Sequence, residues 1–93
     1  MITLLVPGAL RADVEGASRL SVEPNGAATL GGVLDEVARR WPRLHRRLRD
    51  EQGELRRYVN VYVDGEDCRH LAGLATPVAD GSEIQVIPSV AGG

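Results

Sequence analysis

Apolar positions along this chain change period twice before its midpoint. Ile2-Thr3-Leu4-Leu5-Val6 is a short, partly β-branched run stopped by Pro7-Gly8, and it predicts a strand. In residues 18–23, Leu20 and Val22 alternate with Arg19, Ser21 and Glu23. That alternation predicts a weaker second strand, closed by the turn Pro24-Asn25-Gly26. Leu30, Val33, Leu34, Val37, Ala38 and Trp41 then fall on one stripe of a helix, with Thr29 as its N-cap and Asp35, Glu36, Arg39 and Arg40 facing water. Acids ahead of arginines also suit the helix dipole. Gly31-Gly32 in the first turn cost about 1 kcal/mol each in propensity, so tertiary packing has to hold that turn. Pro42 ends the helix, and Leu44 and Leu48, four apart, predict a short helical turn in the loop beyond.

The second half reads mainly in period two. Tyr58-Val59-Asn60-Val61-Tyr62-Val63 predicts the clearest strand, with the valines on one face and Tyr58, Asn60 and Tyr62 on the other. Asp64-Gly65 is a hairpin turn into Glu66-Asp67-Cys68-Arg69. After a Leu- and Ala-rich connection and the turn Asp80-Gly81, Ile84 and Val86 alternate with Glu83, Gln85 and Ile87 in a last strand, residues 83–88. One helix cannot cover both faces of the resulting sheet. The order predicts a two-layer α+β domain of β-grasp type, a mixed sheet packed on one main helix with its other face wet.

Length, composition and charge narrow the chemistry. Ninety-three residues support one domain with a modest core, which leaves little room for a cleft between domains. All 11 basic residues are Arg, so Schiff-base and P-loop lysine chemistry are excluded. A single Cys excludes an internal disulfide and any multi-Cys metal site. Between Arg39 and Arg57, eight arginines face three acids for a net +5; the whole-chain charge of −2 leaves −7 elsewhere. The start lacks the basic region of a signal peptide, and no apolar run reaches the length of a membrane span, so a cytoplasmic location is expected.

Several residue sets resemble a known family together. They are Thr29-Leu30, Val33-Leu34, the strand and turn from Val59 through Asp67, the turn Ala79-Asp80-Gly81, and the end from Ile84 to Gly93 with its Val-Ala-Gly-Gly. Over nearly its whole length the chain resembles the ThiS/MoaD family of ubiquitin-like sulfur carriers, most of all the actinobacterial carriers that serve cysteine synthesis. The molybdopterin-synthase small subunit stands close behind. The resemblance implies a β-grasp domain over residues 1–88 and a flexible, extended tail over residues 89–93.

It implies further that the protein is no enzyme but a substrate and sulfur donor for others. An ATP-dependent enzyme of the ubiquitin-activating type adenylates the Gly93 carboxylate, and a sulfur source converts it to a thiocarboxylate. A biosynthetic enzyme then accepts the sulfur. ATP is used by the partner, and no cofactor is bound by this chain. Val90, Ala91 and Gly92 are expected to thread a narrow channel, for which the absence of Cβ at Gly92 and Gly93 suits. Five extended residues reach roughly 17 Å. Ile87, Tyr62 and Tyr58 are expected to form the docking patch. The alternatives are a molybdopterin-synthase subunit and a ubiquitin-like modifier conjugated to lysines of other proteins. With no Lys, the chain offers an activated tail only its own α-amine.

Other candidates read as structural. Cys68 is expected to be a buried hydrophobe, Trp41 a core residue, and His45 and His70 surface residues. Asp64, Glu66, Asp67, Cys68 and His70 lack the spacing of a calcium loop, and no metal site is expected. The Arg cluster reads as a solvated face, with docking on an acidic partner the alternative; nucleic acid and membrane are not expected partners.

Overall fold

The computed structural model describes residues 1–88. Five strands form one mixed sheet: β1 Ile2–Leu5, β2 Arg19–Val22, β3 Val59–Val63, β4 Glu66–Asp67 and β5 Glu83–Pro88, in the order β2-β1-β5-β3-β4. At its centre β1 and β5 run parallel, Leu4 beside Ile84, and every other pairing is antiparallel. Ile2, Leu4, Leu20, Val22, Val59, Val61, Val63, Ile84 and Val86 turn inward and are buried. Thr3, Ser21, Asn60, Tyr62, Gln85 and Ile87 occupy the alternate positions and remain at least partly open to water. The wet face expected from the alternation is there.

Helix α1, Leu30–Arg40, lies on the inner face and buries Leu30, Val33, Leu34 and Val37 completely. Full burial of such side chains contributes about 1.5–3 kcal/mol each. Thr29 caps it as expected, its Oγ1 accepting from Gly32 N–H at 3.1 Å. Gly32 is more than a tolerated weakness. A Cβ there would sit 2.0 Å from the Ala27 carbonyl oxygen, so the approach of the preceding loop requires glycine.

The structure departs from the pattern reading where elements are short. The turn around Leu44 and Leu48 is a full helix, α2 Pro42–Leu48, with Pro42 both stopping α1 and occupying the first turn of α2. A 3₁₀ helix, Gly8–Val14, joins β1 to β2 and buries Leu10 and Val14, an element that the apolar pattern does not predict. Strand β3 begins at Val59, so Tyr58 lies just outside it. The hairpin return ends after Asp67, and Cys68–His70 is a 3₁₀ turn begun by Asp67, which accepts from Arg69 N–H at 2.9 Å. Cys68 is therefore buried from a helical turn rather than from a strand.

Asp64 and Gly65 both have positive φ, 51° and 88°, as a tight two-residue hairpin requires. Asp64 also accepts from Ser82 Oγ at 3.0 Å and Glu83 N–H at 2.9 Å, which ties the hairpin to the start of β5. The acids of this turn thus have a structural use. Among the described residues no helix is long and apolar enough to cross a membrane.

Candidate functional site

Strand direction decides where β5 delivers Pro88. Since β5 is parallel to β1 and antiparallel to β3, its carboxyl end meets the amino end of β3, with Pro88 opposite Val59. From that corner the sequence continues into residues 89–93. Gly93, Gly92, Ala91 and Val90 lie outside the described residues.

At the same corner the wet face becomes apolar. Ile87 is 42 % exposed and faces outward opposite Asn60, with Tyr62 its diagonal neighbour on β3. Tyr58 is 55 % exposed immediately before β3, whereas Tyr62 is only half-buried and partly used by the sheet itself. Pattern reasoning missed the other half of this surface. A groove of about 350 Å³ runs beside Ile87, lined also by Leu5, Pro7, Arg11, Arg19 and Gln85. Leu5 pairs with Gln85, which sets it diagonally next to Ile87. The signal was in the sequence: Leu5 is an apolar residue at an outward position of β1. The arginines could not be placed there without the path of the 3₁₀ helix, in which Arg11 Nε donates to the Val6 carbonyl at 3.0 Å.

The remaining candidates sort by their surroundings. Burial, reinforced by the Asp67 carboxylate, pushes the Cys68 thiol above its ordinary 9.0, away from the thiolate a sulfur relay would need. His70 is exposed, but His45 is not the surface residue expected: it is half-buried and accepts at Nε2 from Arg49 Nε at 2.8 Å. Burial first, then the Arg49 charge, lowers its pKa from 6.5. Trp41 packs against the core only in part, with the Arg40 guanidinium 4.3 Å above its ring.

Nor is the Arg cluster one uniform solvated face. Arg39 is held by Glu36, Arg47 by Asp13 at 2.9 Å and Arg49 by Asp35 at 2.8 Å, while Arg56 Nε donates to the Arg46 carbonyl at 2.8 Å. Arg43, Arg46 and Arg57 have no carboxylate partner among the described residues.

Comparison with known proteins agrees with the geometry. Residues 4–93 match the ThiS family. The chain is 37 % identical over 94 residues to the sulfur carrier protein CysO of Mycobacterium tuberculosis, covering 99 % of this chain and 98 % of that one. It is 37 % identical over 81 residues to small archaeal modifier protein 3 of Haloferax volcanii, covering 87 % of each. The crystal structure of the Amycolatopsis orientalis BexX/CysO complex contains a chain that superimposes with a TM-score of 0.88 at 34 % identity, over all of both chains.

Proposed function

Because the chain belongs to the ThiS family and is a sulfur carrier protein of that type, we propose that its working group is the Gly93 carboxylate. One carboxylate oxygen attacks the α-phosphorus of ATP on an activating enzyme, expelling pyrophosphate and forming an acyl adenylate. Hydrosulfide or an equivalent sulfur nucleophile attacks the acyl carbon, and AMP leaves. The thiocarboxylate sulfur then attacks an electrophilic carbon of the acceptor enzyme's substrate, the C–S bond forming as that carbon's leaving group departs with its electron pair, which gives a thioester. Water cleaves the acyl–sulfur bond, which releases the thiol product and regenerates the carboxylate.

Adenylation is needed because a carboxylate has no adequate leaving group. A protein-bound sulfur also avoids free sulfide. The domain's own task is to present residues 89–93 to both enzymes, with Ile87, Tyr62 and Tyr58 as the docking patch. A cysteine-synthase-type enzyme is one candidate acceptor, in keeping with the CysO relative. A thiazole-synthase-like enzyme making a sulfur-containing metabolite is another.

One observation carries the reading. The described part of β5 reaches Pro88 beside an exposed apolar corner, and the family match runs on through residue 93, across Val-Ala-Gly-Gly. The test is intact mass spectrometry after incubation with the activating enzyme, ATP and sulfide. Exchange of one oxygen for one sulfur is expected; an unchanged mass contradicts the reading. The likeness to a small archaeal modifier protein supports a second reading, conjugation to lysines of other proteins. Under that reading, adducts survive denaturation and thiols; under the carrier reading they do not form.

A further inference from the structure

The arginines that the fold leaves without partners gather where the chain leaves it. The carboxyl ends of β1 and β5 and the amino ends of β2 and β3 share one end of the sheet. Arg11 lies beyond β1, Arg19 opens β2, and Arg57 stands two residues before β3. Helix α2 is held at this end too, by Arg47 on Asp13 of the 3₁₀ helix and by Arg56 on the Arg46 carbonyl. Arg43, Arg46 and Arg47 line one depression with Asp13, and Arg56 and Arg57 line another with Tyr58 and Asp50. Arg19, Arg43, Arg46 and Arg57 are exposed and carry no carboxylate partner among the described residues.

Acids also stand among these arginines, Glu15 ahead of β2 and Asp50, Glu51 and Glu54 in the loop before β3, but at the opposite end they stand without arginines between them. Glu23 follows β2, Asp64 and Glu66 flank the β3–β4 turn, Glu83 opens β5, and Asp80 pairs with the α-amine of Met1. A net charge of −2 therefore conceals a modest excess of arginine over acid at the end where β5 finishes, seven against five, and an acidic pole away from it.

We propose that the basic end is a docking collar for an acidic rim around the site that receives the tail. This rests on the carrier reading. A partner taking up residues 89–93, whose reach is roughly 17 Å, has to close on the end of the sheet where β5 stops. Its rim then faces Arg19, Arg43, Arg46 and Arg57, where acidic groups speed and orient encounter and basic groups repel. The Ile87–Leu5 groove supplies an apolar centre and the arginines a charged border, which is how interfaces divide the work. Nucleic acid fits less well. Trp41 lies under Arg40 rather than free to stack on a base, which leaves Tyr58 as the one exposed ring beside these arginines among the described residues, and the net charge is negative.

The experiment compares KM and kcat for thiocarboxylation by the activating enzyme. Arg43→Gln/Arg57→Gln removes two collar charges. Ala28→Glu/Ala79→Glu changes net charge equally at exposed positions of the acidic end. The collar predicts that the first pair raises KM about fivefold with kcat within about twofold, while the second pair leaves both within about twofold. Arg43→Lys/Arg57→Lys should keep KM near that of the parent. The parent's KM should also climb more steeply than that of the Gln pair between about 50 and about 300 mM NaCl.

Equal effects from both pairs, or an unchanged KM in the Gln pair, would overturn the collar and leave the carrier reading standing. Failure of the parent itself to gain sulfur removes both. An unchanged KM in the Gln pair, accompanied by loss of its binding to labelled duplex DNA, assigns the arginines to nucleic acid and overturns the proposal.

Discussion

Gly32 and His45 show how single positions acquire meaning only from their neighbours. Propensity treats Gly32 as a liability in the first turn of α1, yet the Ala27 carbonyl leaves no space for a Cβ. Gly32→Ala should lower stability by about 2–4 kcal/mol, read from urea unfolding, although Ala is the better helix former. Gly31→Ala, whose Cβ would meet the Leu74 carbonyl at 3.2 Å, should cost less. His45 makes a prediction in pH. Its folded pKa lies below the ordinary 6.5 because burial and Arg49 oppose its charge, with Asp35 acting the other way. Protonation therefore favours the unfolded chain. The stability contributed by neutral His45 is complete above the unfolded pKa and is lost as pH falls through 6.5 toward the folded value. Thermal unfolding followed from pH 7.5 to about 5 should show a falling Tm, and His45→Gln should flatten that fall. An identical slope in the variant would remove His45 from the account.

Elements with a sustained period were legible in the sequence, and short ones were not. Four inward positions of α1 and the alternation in β3 and β5 are set by burial, which leaves its mark in residue type. The 3₁₀ helix at Gly8–Val14 and helix α2 have seven residues each and bury two apolar side chains each. Two apolar residues four apart define no period, so the sequence showed only a turn for α2 and nothing for the 3₁₀ helix. The same limit applied to the site. Ile87 stood out by breaking the outward polar pattern of β5, but its relation to Leu5 depends on the parallel β1–β5 pairing, which no local pattern encodes. The paired strands make Ile87 separable from the core, since it points away from α1. Ile87→Asp should leave Tm nearly unchanged and raise the activating enzyme's KM for the chain about tenfold, as loss of an interface centre does. A large drop in Tm would mean that Ile87 serves the fold instead.

On the scale of the molecule, the sheet joins its two working features at one end. The parallel central pair places Pro88 at the corner where the β1–β2 connection, α2 and the loop before β3 also meet. The absence of lysine fits this arrangement: arginines ring the exit, and an activated carboxyl group finds no side-chain amine on its own chain or on a second copy. On the proposed function, reaction chemistry belongs to residues 89–93 and the domain's part is to dock. The most direct measurement is top-down mass spectrometry of the chain and of Gly93→Ala after incubation with activating enzyme, ATP and sulfide. The account predicts a single oxygen-to-sulfur exchange that fragmentation places on Gly93, with little or none in the substituted chain although its circular dichroism is unchanged. Sulfur found at Cys68, or full thiocarboxylation of Gly93→Ala, would contradict it.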